Sequence, residues 1–141
     1  MRMTPVKVGI LGYKTVPNTH PDRPAIDVAN YLLFNESETG LLNQLQLQNK
    51  LLYCGAFPFN YNQDGATCAF FVPKIIVGSL RKAERMVLEQ VDRLKRGDYE
   101  EARLDAVKNQ IYVDFQTGLE DLENRAIAIG MAFNMGVSWE Q

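Results

Sequence analysis

One histidine, two cysteines and one tryptophan in 141 residues leave little with which to build a metal centre or a nucleophilic triad. His20 lies in Val16-Pro-Asn-Thr-His-Pro-Asp22, whose composition marks a loop, and a single histidine holds no metal without partners. Cys54 and Cys68 are too few for a disulfide framework, and neither has a second Cys or His at zinc-ligand spacing. Half-buried, reduced thiols are the reading that fits them. Ser37, Ser79 and Ser138 lack the Gly-x-Ser-x-Gly elbow of a hydrolase nucleophile. Gly9-Ile-Leu-Gly12 lacks the third glycine of a dinucleotide fingerprint and leads into Thr15-Val-Pro17 instead of a helix. No catalytic residue and no metal ligand is therefore expected in this chain.

Other absences narrow the partners. The longest apolar runs, such as Ala66 to Val72, fall far short of the roughly 20 residues that cross a bilayer. Met1 to Lys14 has no signal-peptide cleavage pattern, so the chain reads as soluble, with no membrane partner and a compartment left unknown. The formal net charge is -2, and no Lys/Arg stripe is interleaved with stacking aromatics, which argues against nucleic acid.

What is present is a foldable pattern. Hydrophobic residues make up 46% and charges of both signs are mixed along the chain, enough for one core in one domain spanning 1–141. Val6 to Lys14 reads as a strand. Ala25, Val28, Ala29, Leu32 and Leu33 recur at helical spacing behind Pro24, and a shorter helix follows from about Gly40 to Gln48. From Leu51 the period becomes two, placing Tyr53, Phe57, Phe59 and Tyr61 on one side of a strand and Cys54, Ala56, Pro58 and Asn60 on the other. Pro58, which donates no ladder hydrogen bond, points to an edge strand or a bulge. Asn62-Gln-Asp-Gly65 supplies turn chemistry, and Ala66 to Val72 returns as the second arm of a hairpin.

The second half reads as helical. Leu80, Ala83, Val87, Val91 and Leu94 form a seam ending at Gly97, a residue suited to a left-handed cap. Asp98-Tyr-Glu-Glu101 resembles a capping box that starts a new helix with Leu104, Val107, Ile111 and Phe115 as its seam. A second box or a kink is expected near Gly118, after which Leu119, Leu122, Ala126, Ile129 and Phe133 continue the apolar stripe. The acidic groups Glu36-Ser-Glu38, Asp98 to Glu101 and Glu120 to Glu123 suit solvated or helix-start positions better than acid/base work. The expected fold class is α+β, an antiparallel sheet with helices packed on one face, because the aromatic face of the hairpin and the helical stripes each need a partner. Three strands are visible, and the chain stops at Gly136-Val-Ser-Trp-Glu-Gln141 just after a helix, so the domain is expected to be incomplete at its C-terminal end.

The order and wording of these segments resemble the insulinase (pitrilysin-type) zinc metallopeptidase family, in its second module, which does not bind the metal. The residues that carry the resemblance are Val6-Lys-Val-Gly-Ile-Leu-Gly-Tyr13, Thr19-His-Pro-Asp22 leading into Ala25 to Leu33, Thr39-Gly-Leu-Leu-Asn-Gln-Leu45 and Leu51-Leu-Tyr53. Leu94-Lys-Arg-Gly97, Ala106-Val-Lys108 and Leu119-Glu-Asp-Leu-Glu-Asn-Arg-Ala126 continue it. The resemblance implies a two-layer sandwich of the processing-peptidase type, acting as a non-catalytic, substrate-enclosing domain of a zinc-dependent endopeptidase. Zinc is then expected in another domain, the parent would be the hydrolase, and the partners are the remaining domains or a partner subunit together with a peptide substrate. In some members this module supplies an Arg and a Tyr, seven residues apart, that contact substrate. Tyr53 matches the Tyr and becomes the candidate substrate-binding residue, whereas Gln46 stands at the Arg position and Lys50 at that of a usual Gly. Two alternatives from other classes remain, a zinc-less structural or assembly relative and a small-ligand-binding α+β module. The resemblance also implies a further strand after the final helices, and the open edge left without it is expected to favour a homo-oligomer.

Overall fold

A computed structural model describes residues 6–75 and 78–135 of the chain. Its elements are β1 (Gly9–Thr15), α1 (Arg23–Leu33), α2 (Leu41–Leu47), β2 (Tyr53–Asn60), β3 (Gly65–Val72), α3 (Leu80–Lys95), α4 (Glu101–Glu120) and α5 (Leu122–Met135). The sheet is antiparallel in the order β1-β3-β2, so the hairpin partner β3 is central and β1 and β2 are its edges among the described residues. Pro58 thus sits on an edge strand, where a missing N–H is tolerated.

Helices cover one face of this sheet. Leu33, Leu42, Leu45, Ala83, Val87 and Val91 from α1, α2 and α3 meet Cys54, Ala69 and Phe71 from the strands, with Leu11 and Tyr13 of β1 packed at the margin. The strand residues that face the helices are mostly small. Cys54 pairs with Phe71 and Ala56 with Ala69 across the ladder, which leaves room for α2 to approach until the Cys54 thiol donates to the Leu42 carbonyl at 3.1 Å. Gly9 lies beneath the Phe71 ring, where a Cβ would collide with it. Thr67 Oγ1 donates to Asn30 Oδ1 at 2.9 Å and ties α1 to the central strand.

The period of two in β2 holds, but the expected partner for its aromatic side does not. Tyr53, Phe57 and Phe59 share the face opposite the helices, and there they are 44%, 40% and 40% exposed. They pack on one another and on Phe70 of β3, with ring centroids 5.0 Å apart for Phe57 and Phe59 and 5.7 Å for Phe57 and Phe70. Ile10 of β1 extends the same apolar face. Alternation tells which side chains share a face and leaves open which face a helix will cover. Here close helix packing selects the small face.

Three helix-level expectations are also corrected. Asp98 does not cap α4: the residue before the helix is Glu100, without a side-chain cap, and Asp98 instead accepts from Arg93 Nε at 3.0 Å. The helical axis runs through Gly118 and breaks at Asp121, whose extended backbone and Oδ2, accepting from Asn124 N–H at 3.2 Å, start α5. The final apolar stripe is not core, since Phe115, Leu122 and Phe133 are exposed and Val107 is the buried residue of α4. The α4 helix packs on α1 and α5 packs on α4, outside the main layer. By contrast Ala83, Val87 and Val91 of the α3 seam are buried as expected, with Leu94 half-buried and Leu80 exposed at its ends, and Gly97 takes φ +68° after that helix.

Candidate functional site

Tyr53 stands at the first position of β2, directly after the turn that ends α2, and its ring leans on Phe70 at 5.3 Å. Beside it opens a cleft of about 340 Å³ whose walls include Gln46, Leu47 and Phe34. Gln46 and Tyr53, separated by a helix end and a turn in sequence, therefore line one cavity. A carboxamide and a phenol each donate and accept hydrogen bonds, so the pair can meet both polar groups of a peptide unit.

The far wall of the cleft is the α1–α2 loop, and two buried asparagines set its shape. Asn43 Oδ1 accepts from the backbone N–H of Asn35 at 3.2 Å and of Gly40 at 3.1 Å, while its amide donates to the Asn35 carbonyl. Asn35 in turn accepts from the Thr39 N–H and donates to the Tyr31 carbonyl and Thr39 Oγ1. These bonds satisfy loop groups that are shut away from water. They also hold Glu36 and Glu38 at the cleft, Glu38 with a left-handed backbone at φ 59°. Neither glutamate is in an ion pair among the described residues, so the mouth carries negative potential.

The cysteines and the histidine do not line this cleft. Cys54 is fully buried, and burial pushes its thiol up to about 11. Cys68 lies half-buried on the outward sheet face, and both cysteines are free. His20 Nδ1 accepts from the Asp22 N–H at 3.1 Å in the loop before α1. Among the described residues no group of three or more His, Cys, Asp or Glu could hold a metal ion, so the residues present do not fit a zinc site. No described helix is long and apolar enough to cross a membrane.

Residues 5–111 match the family described as the peptidase M16 inactive domain. The chain belongs to this family. Its resemblance to the second, non-zinc-binding module of the insulinase-type peptidases is thereby borne out, as is the α+β fold with helices on one face of an antiparallel sheet. Among solved structures, a protease from Helicobacter pylori aligns with TM-score 0.83 at 18% identity over 93% of this chain. The inactive peptidase domain of a candidate zinc protease from Bordetella parapertussis aligns with TM-score 0.80 at 16% identity over 96%. A candidate zinc protease from Bordetella pertussis Tohama I aligns with TM-score 0.72 at 15% identity over 92%. At such identities the likeness carries the fold. The M16 inactive domain described here spans 32% of the Helicobacter chain, and 74% and 72% of the two Bordetella chains. No curated protein sequence matches it.

Proposed function

We propose that this M16 inactive domain is a substrate-enclosing wall of a larger zinc-dependent endopeptidase, whose zinc lies in another domain or in a partner subunit. The observation that carries the reading is the convergence of Tyr53 and Gln46 on one cleft at the corner of an apolar sheet face that no described helix covers. Membership of the inactive-domain family supports a non-catalytic role for the chain itself. An apolar face of this kind suits the side chains of an unfolded peptide, and a cleft with a phenol and a carboxamide suits its backbone. Further domains of the parent would close the chamber, and a strand added at the β1 or β2 edge would complete the sheet or join two copies of the chain.

The test is reconstitution. The chain is combined with the zinc-bearing domain or subunit proposed for its parent, and cleavage of an unstructured peptide is followed with and without Tyr53→Phe and Gln46→Ala. Cleavage should require both components, and each substitution should lower kcat/KM by roughly tenfold, the loss of one substrate hydrogen bond. Zinc-dependent cleavage by the pure chain, or equal activity of the zinc-bearing domain alone, would overturn the assignment. If no zinc-bearing partner exists, the assembly relative becomes the better reading. Gln46 at the position of the family's Arg is the observation that favours it.

A further inference from the structure

Charge is unevenly spread over the helical layer. Where α2 and the turn after it pack against α3, there are two clefts of about 410 and 240 Å³, and they adjoin, because Lys50 and Met86 stand in the walls of both. Lys74 and Lys82 line the smaller cleft, Arg93 and Arg96 the larger. Against them stand two carboxylates, Glu89 and Asp98, of which Asp98 is already engaged by Arg93 Nε at 3.0 Å. Lys50, Lys74, Lys82 and Arg96 are exposed and form no ion pair among the described residues. Five cations against two carboxylates make this groove positive in a chain whose formal net charge is -2. Like charge gathered along a concave surface repels itself, and an anionic partner laid into it relieves that repulsion.

The lining decides which anion fits. No aromatic side chain is in the wall of either cleft, so a nucleobase has no ring to stack on. Lys74 and Lys82 stand in one cleft and Arg96 in the other, which calls for an extended partner with anionic groups at both ends. Met86, half-buried where the clefts meet, offers an adaptable thioether to an apolar side chain between those groups. The carboxamides of Gln44, Gln48 and Asn49 supply donors and acceptors for a main chain. We propose that this groove docks an acidic segment of an adjoining polypeptide, with carboxylates on the lysines and on Arg96 and an apolar side chain on Met86. The groove lies among the helices, whereas Tyr53, Phe57 and Phe59 lie on the other face of the sheet, so this contact is separate from the enclosing role.

The test uses the full chain, labelled with 15N and titrated with acetyl-Asp-Glu-Leu-Glu-Asp-amide at low and at high salt, amide shifts being followed by NMR. Saturable shifts are expected at residues 48–50, 82–86 and 93–96, with affinity falling as salt rises because exposed charges are screened. Lys50→Gln removes the cation common to both clefts and should weaken binding roughly tenfold, the loss of a charge-assisted hydrogen bond. Lys50 is exposed, so the fold survives the change. Lys108→Gln, on α4 and outside both clefts, takes the same charge from the chain and should leave affinity unchanged. Replacing the leucine of the peptide by serine should cost severalfold. Unchanged affinity in Lys50→Gln overturns the proposal, and an equal loss in the two variants does so too, since it would mean attraction by net charge without a site. Equal binding of the Asn/Gln analogue of the peptide, of pyrophosphate or of a thymidine oligonucleotide likewise overturns it, in favour of a neutral peptide, a phosphate or a nucleic acid. Shifts confined to Gln46 and Tyr53 would refute this groove and leave the enclosing function standing.

Discussion

Raising the pH from 8 to 11 should destabilise the chain through a single buried thiol. Cys54 is wholly inside the core, its proton engaged by the Leu42 carbonyl, and desolvation lifts its pKa from 9.0 to about 11. Below pH 9 the thiol is protonated in both folded and unfolded chains, so its contribution to stability is fully present. Between pH 9 and 11 only the unfolded chain ionises, which draws the equilibrium toward unfolding; above 11 no further loss comes from this group. About two pH units at roughly 1.4 kcal/mol each give a loss of about 3 kcal/mol across that window. Tyr13 and Tyr31, also raised by burial, act in the same direction near pH 10, so the parent chain alone does not isolate Cys54. Urea unfolding of the parent and of Cys54→Ala at pH 8, 9.5 and 10.5 does, because only the difference in slope belongs to the thiol. Coincident slopes would refute the reasoning and mean that water reaches Cys54 in the folded state.

Asn43→Ala should destabilise the chain by about 2–4 kcal/mol in chemical denaturation, since it strands the Asn35 and Gly40 N–H groups in a buried loop; a loss below 1 kcal/mol would mean that water replaces the carboxamide. Phe57→Ser combined with Phe59→Ser should remove less than about 2 kcal/mol, against the 3–5 kcal/mol typical of a truncated core aromatic, while sharply lowering the binding of a hydrophobic dye. A core-sized loss with unchanged dye binding would place these rings inside the structure.

Local pattern carried the architecture a long way. The α3 seam of Ala83, Val87 and Val91, the Gly97 cap and the edge position of Pro58 are legible because each depends on the chemistry of a few neighbouring residues. The errors come where a local signal has two outlets. Asp98 has a carboxylate that can cap a helix or pair with an arginine one turn back, and Arg93 wins because its guanidinium already lies in place at the end of α3. Gly118 can bend a helix, yet a break needs new partners for the freed N–H groups, and Asp121 provides them three residues later.

The candidate sites are legible to different degrees for the same reason. Tyr53 is found from wording along the chain, and its neighbour Gln46 only from the place where that wording departs. Arg23 carries no signal at all in sequence, because a charged residue at the start of a helix reads as surface, yet its side chain is 10% exposed and paired with Asp27. The aromatic face lies between these cases. Its membership follows from alternation, but its direction is a contest between Cys54, Ala56 and Ala69 on one side and Tyr53, Phe57 and Phe59 on the other for contact with α2 and α3. Residue bulk argues for burying the aromatics, and helix approach argues for burying the small residues. Leu42, fully buried with its carbonyl against Cys54, shows approach prevailing, and the rings turned outward by that choice form an exposed apolar face.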